Sequence, residues 1–234
     1  MKQFICICCA LLLGVASAMA ADGDKRSDEA PSRAGTIYVS LQGSPVFNLY
    51  ENAFSYRDNG RLIELFTPQG ALSVGMDFSD AFGIRLMAEI GSDAGACNTR
   101  NTSAGGFWPY RFYNVDLFAD AVLNLCGLAG RITRFRPKLY AGLGVAHTFG
   151  FTDSGHPWQK VNGSNTVPGF RGGFIGEYTW DSGFGLFFDL CGEAYTDMYN
   201  GLMPSAKDQE NYEGYGGFPL DLRGILGKGL VYHF

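Results

Sequence analysis

Leu72-Ser73-Val74-Gly75-Met76-Asp77-Phe78, then Ser79-Asp80-Ala81, then Phe82-Gly83-Ile84-Arg85-Leu86-Met87-Ala88-Glu89-Ile90: this stretch decides the architecture. In the first run Leu72, Val74, Met76 and Phe78 alternate with Ser73, Gly75 and Asp77. In the second, Phe82, Ile84, Leu86, Ala88 and Ile90 alternate with Gly83, Arg85, Met87 and Glu89. Alternation with period two is the signature of a half-buried strand, and the short turn between the runs makes them a hairpin.

The same pattern recurs in both directions along the chain. Ile37, Val39 and Leu41 oppose Tyr38, Ser40 and Gln42, and Val115 to Leu123 oppose Asn114, Asp116, Phe118, Asp120 and Asn124. Strands follow at 138–145, 170–180 and 184–193, with Asp181-Ser182-Gly183 as a second tight turn, and a last strand sets Leu226, Leu230, Tyr232 and Phe234 against Arg223, Gly227, Gly229 and His233. About eight strands result, each supplying the ~9–11 residues that a tilted bilayer crossing needs. Connections alternate: short near 80 and 182, moderate at 126–134, long and rich in Gly, Asn, Ser and Asp at 50–68, 92–108, 150–166 and 198–217. The expected fold is all-β, an eight-stranded antiparallel up-and-down transmembrane β-barrel with both termini on the short-turn side.

Alternation is equally compatible with a soluble barrel that has its apolar face inside. Three features favour the inverted arrangement. Glycines (Gly75, Gly83, Gly142, Gly144, Gly173, Gly185, Gly227, Gly229) crowd the polar face, as a narrow lumen holding large charged side chains requires. Aromatic residues sit near the strand ends of the apolar face (Phe78, Phe82, Tyr178, Trp180, Phe184), where membrane interfaces favour amphipathic rings. The sequence also ends on that face with Leu230, Tyr232 and Phe234.

With Ile37-Tyr38-Val39-Ser40-Leu41-Gln42-Gly43, Ala71-Leu72-Ser73-Val74-Gly75, Tyr140-Ala141-Gly142-Leu143-Gly144-Val145 and Gly229-Leu230-Val231-Tyr232-His233-Phe234, the sequence resembles the N-terminal barrel of OmpA-type outer-membrane proteins, most closely those of Bacteroidetes. The resemblance spans residues 35–234 and implies a bacterial outer-membrane location. The closing residues Leu230, Tyr232 and Phe234 are similar to the C-terminal signal read by the barrel-assembly machinery, which makes that machinery an expected partner. OmpA-type proteins usually continue into a peptidoglycan-binding domain. Here the sequence stops at the barrel, so wall tethering is not carried over from the resemblance.

The first twenty residues read as a secretory signal peptide: Lys2, an apolar run from Phe4 to Val15, and small residues offering cleavage after Ala18 or Ala20. Residues 21–34 are polar and aperiodic, a short disordered leader before the barrel at 35–234. Composition agrees with a β-protein, with 33 Gly, 19 Phe, 12 Tyr and 3 Trp. A net charge of −5 excludes general attraction for nucleic acid. Cys97, Cys126 and Cys191 follow no disulfide or zinc spacing and are expected to be unpaired.

The face assigned to the lumen carries Asp77, Arg85, Glu89, Asp116, Asp120, Lys138, Arg171, Glu177, Asp189, Glu193, Asp221 and Arg223. Charges in so narrow an interior must pair or reach water, so an interlocked ion-pair network filling the barrel is expected ahead of a conduction path. No serine stands two residues from His147 and no Asp–His pairing is evident at strand spacing, while His156 lies in a long connection and His233 at the short-turn end, so no enzyme is expected, and neither cofactor nor metal. Asp93, Asp153, Asp197, Asp208 and Glu210 lie in the long connections without the spacing of a calcium loop. Those connections also carry Tyr50, Phe54, Tyr56, Phe107, Trp108, Trp158, Tyr212 and Tyr215. Aromatic anchors among polar residues suit an extracellular protein or glycan ligand; equally, they suit a cover for the barrel rim. Outer-membrane lipids and lipopolysaccharide complete the expected partners. The functional expectation is a structural, envelope-stabilising and surface-interacting barrel, with a narrow non-specific pore second and a lipid-modifying enzyme third.

Overall fold

The computed structural model describes residues 31–49, 56, 59–96, 107–153, 161, 163–196, 198–201 and 220–234. Eight antiparallel strands run in sequence order: β1 (Thr36–Leu49), β2 (Phe66–Asp77), β3 (Phe82–Ala96), β4 (Pro109–Asn124), β5 (Phe135–Phe149), β6 (Ser164–Thr179), β7 (Phe184–Thr196) and β8 (Leu220–His233). Each pairs with the next, and β8 pairs with β1 to close the barrel. The hairpin read first in the sequence forms with Leu72 opposite Ala88 and Gly75 opposite Arg85. Among the described residues no helix is long and apolar enough to cross a membrane; the only crossing elements are strands.

The direction of the pleat settles which face is inside. Leu72 and Leu143 are 58% and 64% exposed, whereas Arg85 and Arg223 are 3% and 2% exposed. An apolar exterior around a charged interior is unstable in water and stable in lipid, because hydrocarbon then solvates the leucines and the protein solvates the ions. On β4 the outward row Leu123, Ala121, Ala119, Leu117, Val115 and Tyr113 is unbroken until Arg111. Ten residues of tilted strand rise about 25 Å, the height of the apolar band of outer-membrane barrels. An aromatic girdle edges the short-turn end of this band, where Trp180 stacks on Phe184 with centroids 5.8 Å apart and Tyr232 meets Phe234 edge-on at 5.0 Å.

The tight turns are built from local chemistry. At the β2–β3 turn the Ser79 hydroxyl accepts from the backbone N–H groups of Ala81 and Phe82. At the β6–β7 turn Gly183 has φ +85°, and a Cβ there would overlap the His233 carbonyl oxygen, so only glycine fits. The moderate connection contains one helical turn, α1 (Leu125–Leu128), capped by the Asn124 side chain, which accepts from the Cys126 N–H. Cys126 and Cys191 are free and buried; Cys97 lies outside the described residues.

Two boundaries differ from the sequence reading. Residues 31–34, assigned to the disordered leader, are fixed at the short-turn end: Ser32 Oγ and the Arg33 N–H both donate to Asp80, Arg33 Nη2 donates to the Trp180 carbonyl, and Arg136 Nη2 donates to the Pro31 carbonyl. The expected signal peptide and residues 21–30 lie outside the described residues. At the opposite end β2 starts at Phe66 and β3 runs to Ala96, well into stretches expected to be loops. The small residues Ala94 and Ala96, on the outward row of Leu86 and Ile90, are buried there against Tyr56 and Leu65, so that row continues without the large apolar residues that would mark it in the sequence.

Candidate functional site

Side chains fill the lumen in three tiers. At the short-turn end, Lys138 Nζ lies 2.8 Å from Glu177 Oε2. The other oxygen of Glu177 meets His233 Nε2 at 3.0 Å and the Thr179 hydroxyl at 3.1 Å. Asp77 is 3.9 Å from His233 Nδ1. These residues come from β2, β5, β6 and β8, so the tier ties non-adjacent strands together.

The middle tier is organised by two arginines. Arg85 Nε lies 2.7 Å from Asp120 Oδ2, and its Nη1 lies 3.9 Å from Asp189. Arg171 grips Asp120 with two nitrogens, at 2.7 and 2.5 Å, and Glu89 with a third at 2.6 Å. Asp189 also accepts from Tyr140 at 2.9 Å, and Glu89 from Gln69 at 2.5 Å. The guanidiniums of Arg85 and Arg171 lie over the rings of Tyr140 and Phe118, at 4.4 and 4.5 Å from the centroids. Glycines make room: a Cβ at Gly142 would overlap the Asp120 carboxylate, and one at Gly144 the Leu117 carbonyl oxygen and the Phe118 ring.

At the long-loop end Arg223 is the hub. It reaches Asp116 at 3.0 Å, Asp93 at 3.3 Å, Glu193 at 3.2 Å and the Gln69 side-chain oxygen at 2.8 Å, and it donates to the Tyr199 hydroxyl. Tyr195 donates to Glu193 at 2.7 Å, and Tyr199 donates to Asp93 at 2.6 Å. The two tyrosine rings stack with centroids 4.1 Å apart. Asn200 donates to Asp221 from its backbone and its side chain, and its carbonyl accepts from Tyr110. Residues 198–201 of the β7–β8 connection thus fold into the mouth, over an aromatic cluster of Tyr110, Phe112 and Phe151.

All twelve charged residues assigned to the lumen from the sequence are buried inside it. Reasoning from the sequence missed Asp93 and His233 as members of these networks, and missed Arg136 as a buried inward cation beside them. Asp93 reads in the sequence as a loop acid, but it continues the every-second-residue row of Arg85 and Glu89 along β3, and Arg136 precedes Lys138 in the same way. Among the described residues nine carboxylates are buried against six buried cations. Neutral donors, chiefly Tyr140, Tyr195, Tyr199, Gln69 and Asn114, take up the difference. Glu89, Asp116 and Glu193 bring carboxylate oxygens within 4.8 Å of one another, and Arg171 and Arg223 supply the positive charge among them.

The loop candidates fare differently. Tyr56, expected to be exposed, is buried, and its hydroxyl donates to the Gly95 carbonyl at 2.7 Å, because the extended β3 supplies a wall for it. Trp108 packs against the aromatic cluster in the mouth, and Phe107 meets Tyr56 edge-on at 4.9 Å. Tyr50, Phe54, Trp158, Tyr212, Tyr215, His156, Asp197, Asp208 and Glu210 lie outside the described residues; Asp153 is exposed. His147 faces outward at the upper edge of the belt, with Nδ1 2.8 Å from the Thr166 hydroxyl.

No protein-family model matches the chain, and no curated protein sequence is similar to it. Solved structures are. A major outer membrane protein from Thermus thermophilus aligns with TM-score 0.51 at 16% identity, over 86% of this chain and 100% of that one. Neisserial surface protein A (NspA) aligns with TM-score 0.48 at 14% identity, over 85% and 97%. Ail of Yersinia pestis, in complex with the heparin analogue sucrose octasulfate, aligns with TM-score 0.43 at 14% identity, over 86% and 99%. Together with the closed order β1 to β8, the likeness to the first of these shows the fold: the chain is an eight-stranded β-barrel of the outer-membrane type.

Proposed function

We propose that the protein is a closed structural barrel of the bacterial outer membrane, which stabilises the envelope and presents its long connections outside the cell. The observation that carries this reading is the filled lumen: three tiers of paired charges and stacked aromatics occupy the interior from His233 to Tyr199. Eight strands leave an interior just wide enough for side chains, and each cationic hub here is held by buried carboxylates. In this reading residues 1–20 direct export, Leu230, Tyr232 and Phe234 guide insertion by the assembly machinery, and lipopolysaccharide surrounds the upper belt near Arg111 and His147. The connections at 50–65, 97–108, 150–163 and 197–219 form the surface available to an extracellular protein or glycan.

Planar-bilayer recording tests the central point. Purified, folded protein inserted at defined copy number gives no stepwise conductance if the lumen is closed. Regular open-channel steps abolished by a bulky substitution at the mouth would establish a pore instead.

A further inference from the structure

Every strand presents an apolar row to the lipid, and on β8 that row is interrupted. Leu226, Lys228, Leu230 and Tyr232 alternate outward, and Lys228 is exposed with no ion pair among the described residues. Among those residues no Asp or Glu faces outward within the belt; the acids of the strands all point into the lumen. Lys228 lies four residues from Tyr232 of the aromatic girdle, about 10 Å along the barrel axis. That depth is inside the hydrocarbon, and the nearer interface is the one at the short-turn end.

The wall beside it is bare. Lys228 pairs with Gly43 on β1, and Gly43 with Gly70 on β2. A Cβ at Gly43 would meet nothing within 4 Å, and one at Gly70 only the Gln42 carbonyl oxygen at 4.0 Å. On the other side stands Phe188. A lysine between a phenylalanine and two unoccupied strand widths has room to lay its four-carbon stem along the wall toward the girdle.

We propose that Lys228 is a lipid-binding residue, its ammonium holding the phosphate of an anionic phospholipid in the leaflet at the short-turn end, with the acyl chain against the Gly43–Gly70 wall. This rests on the reading that the chain spans a membrane. The charge selects the occupant: an anion neutralises it, and the stem with local bilayer thinning brings the headgroup within reach. A second copy packed symmetrically on this face would oppose two lysines, which disfavours a dimer here.

The full chain is reconstituted into vesicles of phosphatidylcholine with a minority of phosphatidylglycerol, and lipid retained after mild detergent extraction is identified by native mass spectrometry. Wild type retains phosphatidylglycerol about fivefold above its share of the vesicle, the enrichment corresponding to one surface lysine. Lys228→Gln falls to the bulk ratio and Lys228→Arg keeps the enrichment, folding of each being checked by heat-modifiable gel migration. Folded, inserted wild type without enrichment overturns the proposal and leaves the membrane reading standing, as does enrichment that survives Lys228→Gln. Failure of wild type to insert at all would remove the membrane reading itself. Carbodiimide cross-linking of Lys228 to a carboxylate of another envelope protein in whole cells would replace the lipid with an acidic membrane partner.

Discussion

Replacing Arg171 with leucine is the sharpest probe of the lumen. The substitution removes two contacts to Asp120 and one to Glu89, and the guanidinium over Phe118. The partners left behind are not equally stranded. Asp120 keeps Arg85 at 2.7 Å, and Glu193 keeps Arg223 and Tyr195, but Glu89 keeps the Gln69 amide and, among the described residues, loses its ion pair. Orphaning one member of a buried ion pair costs about 3–5 kcal/mol, and here essentially one carboxylate is orphaned. Arg171→Leu should therefore destabilise by about 4 kcal/mol, with roughly 1 kcal/mol of that from the lost cation–π contact. Adding Glu89→Leu removes the stranded charge, so the double variant should recover at least about half of the loss, as when a buried pair is exchanged for apolar side chains. The measurement is urea unfolding and refolding in phospholipid vesicles, followed by tryptophan fluorescence. A single variant costing less than about 1 kcal/mol, or a double variant no better than the single, would show that water reaches Glu89 and that the lumen is not a packed interior.

Three further outcomes follow from the geometry. Gly144→Ala should cost about 1–3 kcal/mol, because its Cβ overlaps the Leu117 carbonyl, whereas Gly192→Ala, with open space around it, should stay within about 0.5 kcal/mol; vesicle unfolding of the two compares them directly. Tyr199→Phe leaves Asp93 and Arg223 short of a partner and should cost about 1–3 kcal/mol, seen as faster backbone hydrogen exchange at residues 198–201 with the middle tier unchanged. Lys228→Leu should stabilise the barrel by about 1–3 kcal/mol in pure phosphatidylcholine, reflecting a charge between interface and midplane, while Arg61→Ala, whose pair with Glu64 is exposed, should leave stability unchanged in the same vesicles.

Much of this molecule is legible in its sequence because a membrane barrel writes both faces into every strand. The row Arg85, Glu89 is unmistakable between Ile84, Leu86 and Ile90, and the cross-strand pairs Arg85–Asp120 and Glu89–Asp116 follow once the hairpin register is set. Legibility ends where the wall leaves the bilayer. Past Ile90 the outward positions no longer need to be greasy, so Ser92 to Ala96 look like loop, although the inward positions Asp93 and Gly95 still face structured partners. Partnerships between distant strands, such as Arg223 with Asp93 and Gln69, depend on closure and leave no local trace. Lys228 is visible as a residue out of step with Leu226 and Leu230, but a period-two reading smooths over a single exception.

Arg223 sits on β8, and its carboxylate partners sit on β3, β4 and β7. A sheet that has added seven strands therefore exposes Asp93 and Asp116 with their shared counterion still absent. Only the arrival of the eighth supplies it, so sealing the seam and discharging the interior are one event. A seven-stranded sheet is held back by its own uncompensated repulsion, and the sequence thereby penalises the last stopping point short of the finished cylinder.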